Sequence, residues 1–206
     1  MRQCYAGLDP SLANTAFVVL SPKGEIRLLL NSHDEVPPRA KRQKTPREHD
    51  ALQRMLCIQA YLDRTVTLAS PGVSWDQLQV AYEDYSFNSV HRAFTLGELG
   101  GILKSNFLLK GVPLHLVEPK VLKKFALGTG AASKQAVLEQ AKAEMRFEDP
   151  SLLSAALATL TDDAADAYFL AKYLWYQKAP KQAITYETSR DRLRKRLEYV
   201  RQASIG

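Results

Sequence analysis

The stretch CYAGLDPSLANTAFVVLSPKGEIRLLL, residues 4–30, decides the fold. Residues 4–9 form a short apolar run that ends on an acid, residues 14–22 (NTAFVVLSP) a second run and residues 26–30 (IRLLL) a third. PKGE at 22–25 separates the last two runs as a tight turn does, so the three are expected to pair as an antiparallel meander. Asp9 is the anomaly in this stretch. An ionised carboxylate closing an apolar strand is expensive to bury unless a cation or hydrogen-bond donors satisfy it. Taken alone, a strand-end or turn acid ahead of Pro10 accounts for it equally well.

A polar loop, 31–47, follows the meander and carries Arg39, Lys41, Arg42, Lys44 and Arg47 among Pro37, Pro38 and Pro46, a composition that suits an exposed segment. From Glu48 to about Leu68 the residues Leu52, Met55, Leu56, Gln59 and Leu62 recur at helical spacing, with Cys57, Ile58 and Tyr61 broadening the face. LQVAYEDY at 78–85 returns to a strand, and a helix is expected from Ser89 or Val90 to about Leu103 despite Gly97, Gly100 and Gly101. PLHLVEP at 113–119 is a further strand. Beyond it PKVLKKFAL makes a short helix, GTGAAS a turn, and Lys134 to about Arg146 another helix. DDAADAYFLAKYLWYQ at 162–177 reads as a long amphipathic helix capped by Thr161 or Asp162. This order predicts an α/β fold in which a mixed central sheet is covered by helices on both faces.

Composition narrows the function classes. The chain has 206 residues, 46% of them hydrophobic and 24% charged, which suits one ordinary globular domain rather than a disordered one. Cys4 and Cys57 are the only cysteines, so a disulfide framework or cysteine-rich metal site is excluded. The N-terminal residues lack a signal-peptide core and no run reaches the roughly eighteen apolar residues of a membrane span. An intracellular location without membrane association is therefore expected. The formal charge is +6. Most of that excess sits in the last thirty residues, where Lys178, Lys181, Arg190, Arg192, Arg194, Lys195, Arg196 and Arg201 face only Glu187, Asp191 and Glu198. Two basic segments could touch two stretches of phosphate backbone. Each could also be a solvated surface, and the tail a helix packed on the core.

Two further acidic features join Asp9. Glu83 and Asp84 follow directly on apolar LQVAY, and a period of two allows only one of them to face a common site. Asp163 and Asp166 lie three apart on a helix and so share a face, where like charges repel. Carboxylates from two strand ends and a helix form a donor set for hard divalent cations. Such ions can drive phosphodiester hydrolysis in pairs. His33, His49, His91 and His115 have no close ligand spacing, which argues against zinc.

AGLDPSLANTAFVVL, AYEDYSF, LVEPKVLKKFALGTGAASKQAV and DDAADAYFLAKY, in this order and spacing, resemble the RuvC-type Holliday junction resolvases of the retroviral-integrase-like superfamily that includes ribonuclease H. The likeness covers most of residues 4–176. It implies an RNase H-like domain over residues 1–178 with the basic loop 31–47, followed by a basic extension at 179–206. It further implies a homodimer that nicks two opposed strands of a four-way DNA junction with Mg²⁺ or Mn²⁺, two ions per site, leaving 5'-phosphate and 3'-hydroxyl ends.

Residue by residue, Asp9 matches the family's first-strand aspartate, Glu83 its central-strand glutamate, and Asp163 and Asp166 its late-helix pair. The resemblance assigns Asp9 to both ions, Glu83 to the ion near the leaving oxygen, and Asp166, helped by Asp163, to the ion that activates water. Lys134 and Lys120 match two basic positions that meet the scissile phosphate, with Lys134 offsetting charge in the transition state. Lys123, Lys124, Arg39, Lys41, Arg42, Lys44, Arg190 and Arg194 are further candidates for DNA contact. Ser11 replaces the usual glycine after the aspartate and proline. Ser86 occupies the usual aromatic position, leaving Phe87 as the candidate for junction-centre recognition. The added loop and tail suit a divergent, phage or viral member. The expected location is thus cytoplasmic or nucleoid-associated, or the cytoplasm of a host cell. A related nuclease for flaps or forks, or a nuclease-derived DNA-binding protein, fits the same residues.

Overall fold

The structure is a computed structural model, and it describes residues 3–32, 47–68, 73–84, 93–181 and 190–203. Phe87, the basic-loop residues Arg39, Lys41, Arg42 and Lys44, and the side chain of Arg190 lie outside the described residues.

Five strands form one sheet: β1 (Cys4–Asp9), β2 (Ala16–Leu20), β3 (Ile26–Asn31), β4 (Leu78–Glu83) and β5 (Leu114–Val117), in the order β3-β2-β1-β4-β5. The first three pair as the antiparallel meander read from residues 4–30, whereas β4 joins β1 and β5 joins β4 in parallel. Gly24 takes the left-handed φ of 84° in the turn between β2 and β3, and a Cβ there would meet the Trp175 ring at 2.5 Å. The indole in turn donates Nε1–H to the Pro22 carbonyl at 3.2 Å.

Alternation along the strands divides the core in two. On one face Cys4, Ala6, Leu8, Phe17, Val19, Val80 and Tyr82 pack against α1 (Arg47–Leu68) and α2 (Ala93–Leu109). On the other, Tyr5, Val18, Leu20, Ala81 and Val117 pack against α6 (Asp162–Lys178), which is itself covered by α3 (Pro119–Leu127), α4 (Lys134–Glu144) and α7 (Arg190–Ala203). The short α5 (Leu153–Ala158) precedes α6. A mixed sheet with helices on both faces in this order is the RNase H-like architecture. No helix among the described residues is long and apolar enough to cross a membrane.

Three helices differ from their sequence reading. In α1 the buried stripe is Met55, Ile58, Leu62 and Val66, while Leu52 and Leu56 are exposed. Leucines flank that stripe, so the apolar pattern of the sequence is wider than the face that is buried. The second, α2, continues past Leu103 to Leu109 because Leu103 and Phe107 both reach the sheet, and Gly111 ends it at a φ of 69°. In α6 every residue from Ala167 to Tyr176 is buried, so the helix is central rather than amphipathic. Its register was hidden because apolar residues surround it.

The contact between α6 and β1 is unusually close. A Cβ on Gly7 would lie 1.9 Å from the Ala167 carbonyl oxygen, 2.5 Å from the Ala171 nitrogen and 2.8 Å from the Leu170 Cβ. Backbone therefore rests on backbone, and only glycine permits it. Gly7→Ala is expected to destabilise the protein by about 3 kcal/mol or more, since neither partner has a rotamer to yield. Chemical denaturation measures this, and a loss below about 1 kcal/mol would show that the helix can lift without consequence.

Candidate active site

The parallel register of β1 and β4 pairs Leu8 with Tyr82, which sets Asp9 beside Glu83 at the same end of the sheet. Asp9, like Tyr5 and Gly7, points to the α6 face, and Glu83 shares that face with Ala81. The Thr161 Oγ1 caps α6 by accepting from the Ala164 N–H at 3.2 Å. Because Ala167 is seated on Gly7, the first turns of α6 bring Asp163 and Asp166 to Asp9 and Glu83. The four acids named from the sequence thus form one electrostatic group.

Their mutual effect is large. Burial, followed by the charge of Glu83, a hydrogen bond shared with Glu83 and the charges of Asp163 and Asp166, pushes the Asp9 carboxyl well above its usual range. Burial raises Glu83 as well, and Asp163 adds to it, while the hydrogen bond with Asp9 and the charges of Lys134 and Lys123 pull it down. Asp166 is pushed up to about 7 by burial and by Glu83 and Asp163, against the opposing pull of Lys134 and Lys123. So much unneutralised acid at one strand end is costly to the fold, as expected where binding or chemistry keeps it.

The structure separates the basic candidates. Lys134, the first residue of α4, and Lys123, in α3, both act on the acids. From the sequence Lys123 is a candidate for DNA contact alone. Lys120 is exposed at the start of α3. The Lys124 ammonium is turned toward α7, 5.1 Å from the centre of the Tyr199 ring, and Arg194 is exposed 3.8 Å from Glu198. Asp84 continues from β4 with its N–H bonded to the Val117 carbonyl at 2.9 Å.

Asn14 was missed in the sequence. Its Nδ2 donates to Asp163 Oδ2 at 2.9 Å and to Thr161 Oγ1 at 3.1 Å, and Thr161 Oγ1 also lies 3.3 Å from the Asn31 amide oxygen. The signal was topological: the turn joining β1 to β2 must lie at the Asp9 end of the sheet, so an amide within it can reach whatever gathers there. Ser11, the departure in that turn, has its N–H bonded to Thr15 Oγ1 at 3.1 Å, and that hydroxyl donates back to the Ser11 carbonyl at 2.6 Å. The turn closes without a glycine.

Carboxylate oxygens fit a hard divalent cation in kind. Among the described residues, however, no three His, Cys, Asp or Glu side chains stand together in coordinating geometry. Asp163 spends one oxygen on Asn14, and Asp9 is hydrogen-bonded to Glu83.

No family model and no curated protein sequence matches the chain. Solved structures do. The structure aligns with Thermus thermophilus RuvC at a TM-score of 0.58 and 19% identity, covering 86% of this chain and 97% of RuvC. The chain has the RuvC fold. T. thermophilus RuvC in complex with a Holliday junction substrate aligns at a TM-score of 0.57 and 17% identity, over 86% of this chain and 96% of that one. RuvC is spanned almost end to end, while part of the present chain falls outside the alignment.

The raised carboxyls make stability depend on pH. Asp166 moves from 3.8 to about 7 on folding, so its ionisation costs nothing below the lower value and destabilises progressively as pH rises through the interval. In chelator, Asp166→Asn is expected to raise the thermal midpoint at pH 8 by a few degrees and to leave it unchanged at pH 3.5. An unchanged or lower midpoint at pH 8 contradicts this account of the cluster.

Proposed function

We propose that the protein is a divalent-metal-dependent endonuclease that resolves four-way DNA junctions as a homodimer. The single observation that carries this reading is the convergence of Asp9, Glu83, Asp163 and Asp166, with Lys123 and Lys134 beside them, at one strand end of a RuvC fold. Asp9, Glu83, Asp163 and Asp166 would hold Mg²⁺ or Mn²⁺, which when bound supplies an activated water and stabilises the leaving oxygen of a phosphodiester. The remaining work falls to the chain itself. Asn14 holds the orientation of Asp163. Lys134 and Lys123 supply positive charge where a scissile phosphate would gather negative charge, a contribution that grows toward the transition state. Cation binding would displace protons held by the raised carboxyls, so affinity for the metal weakens as pH is lowered and strengthens as it is raised.

Two opposed incisions need two sites, and the described residues carry one such acidic cluster, so a twofold dimer presents the pair most simply. The outer surface of α2 supports this. Phe94 and Leu108 are 86% and 66% exposed, and between them on the same helical row are Gly97 and Gly101. Among the described residues a Cβ at either glycine would meet nothing within 4 Å, so packing against them does not account for these glycines. Small residues on an exposed helix let a second backbone approach closely.

Cleavage of labelled four-way, flap, fork and linear DNA with Mg²⁺ tests the reading. Symmetric nicks on four-way junctions by two protomers are expected. Asp9→Asn, Glu83→Gln and Asp166→Asn should each lower the rate at least about 100-fold with binding retained, and Asp84→Asn much less. A competent 1:1 complex that cuts flaps and leaves junctions intact would replace resolution with single-strand incision. Near-normal cleavage by all three acidic variants would reject the site.

A further inference from the structure

Away from the acidic site, a second group of charges is buried where α3, α4, α6 and α7 meet. Its centre is Glu144, the last residue of α4. The Arg196 guanidinium, on α7 and only 3% exposed, grips the Glu144 carboxylate with both ends, Nη1 to Oε2 at 2.8 Å and Nη2 to Oε1 at 2.9 Å. Lys172 of α6 donates to the same carboxylate, and Arg192 of α7 lies 3.2 Å from its Oε1. Burial alone would raise Glu144, but the hydrogen bond from Arg196 and the charges of Lys172 and Arg196 outweigh it and hold the carboxyl at about 2.

Arg196 makes a second set of bonds. Its Nε donates to the Phe125 carbonyl and its Nη2 to the Ala126 carbonyl, each at 3.1 Å. These are carbonyls of the last turn of α3, which have no partner further along their own helix and carry the negative end of its dipole. The planar guanidinium also lies over the Phe125 ring, 4.9 Å from its centre. One side chain therefore caps the C-terminal end of α3 and clamps the C-terminal end of α4. Those two helices carry Lys123 and Lys134, the lysines that act on Glu83 and Asp166. Lys123 is two residues from Phe125. Lys134 lies at the far end of α4, about 15 Å along a rigid rod whose other end is fixed at Glu144.

We propose that Arg196 is a positioning residue for the candidate active site: by tying α3 to the end of α4, where Lys172 of α6 also holds Glu144, it sets where Lys123 and Lys134 stand relative to the acids. The C-terminal helix is then part of the catalytic unit and not solely a basic arm for DNA. This rests on the nuclease reading above. A lysine at 196 would keep the charge, but a single ammonium has no fork with which to hold a carboxylate and two carbonyls together.

The test uses the full-length protein. Arg196→Met keeps the aliphatic volume and leaves Glu144 paired with Lys172. At saturating Mg²⁺ and junction, and well below each variant's thermal midpoint, it is expected to lower the single-turnover rate about tenfold with affinity within about twofold. Arg196→Lys is expected to fall between the two. In a Lys123→Ala/Lys134→Ala background the same change should cost less than about twofold, since the groups it misplaces are gone. Equal losses in both backgrounds would make Arg196 a structural residue alone, and lost affinity with a shallower salt dependence would make it a DNA contact. Either result overturns the proposal. Amide hydrogen exchange gives a readout that needs no cleavage and also serves Arg196→Lys if the methionine variant does not fold. Faster exchange is expected at Gln135–Leu138, the far end of α4. Change confined to α7 would overturn the proposal even if the wild-type protein cut no DNA, whereas wild-type inactivity with the expected exchange pattern would reject only the nuclease reading.

Discussion

The seat of α6 on Gly7 governs this structure. At that point a helix backbone and a strand backbone touch with no side chain between them, so α6 has one height and one register above the sheet. Asp163 and Asp166 lie within the turn preceding Ala167, and Asp9 lies two residues beyond Gly7 on the same face of β1. One contact thus fixes the distance between acids that are more than 150 residues apart in the chain. A larger residue at position 7 would raise the helix and part the acids together, which links fold stability to site geometry through the same atoms.

The molecule handles its two groups of buried charge in opposite ways. Around Glu144 the carboxylate is fully partnered: it meets Lys172, Arg192 and Arg196, the remaining Arg196 donors find helix carbonyls, and the carboxyl is held at about 2. At the strand ends the carboxylates outnumber the nearby lysines, and Asp166 rises to about 7. A satisfied buried network mainly rigidifies and specifies packing, whereas an unsatisfied one stores free energy for binding. Helices α3 and α4 connect the two. Each has its C-terminal end in the Glu144 cluster and a lysine whose charge acts on the acidic one, so the rigid region supports the reactive one.

The tail of the chain shows that net charge does not say where each cation goes. Its net positive charge suggests an arm for nucleic acid, yet Arg196 is turned inward, Val200 is buried, and Leu193, Leu197 and Tyr199 pack against the core. A helix of this composition can place some cations in solvent and others in the interior, because long basic side chains carry apolar stems. Arg194 and Arg196 are two residues apart and have opposite environments, which is the consequence of a helical period and of a carboxylate waiting at the end of α4.

Much of this was legible in the residues themselves. The meander of residues 4–30 followed from apolar runs and turn chemistry, both local properties, and the alternation of β4 restricted the shared face to either Glu83 or Asp84. The ordered acidic motifs carried the resemblance to RuvC, which the structural alignment supports at the level of fold. What the sequence could not supply depends on distance between elements. Its apolar pattern could not show that α6 is covered on all sides, because a helix surrounded by protein has no polar face to mark its orientation. It did not single out Asn14 or separate Lys123 from Lys124, since adjacent or nearby residues differ only in the direction a helix or turn gives them. Nor could it show that Arg196 and Glu144, fifty-two positions apart, meet in the interior. Local free energies write strands, turns and caps into the sequence, while the partner of a buried charge is chosen only when the chain closes around it.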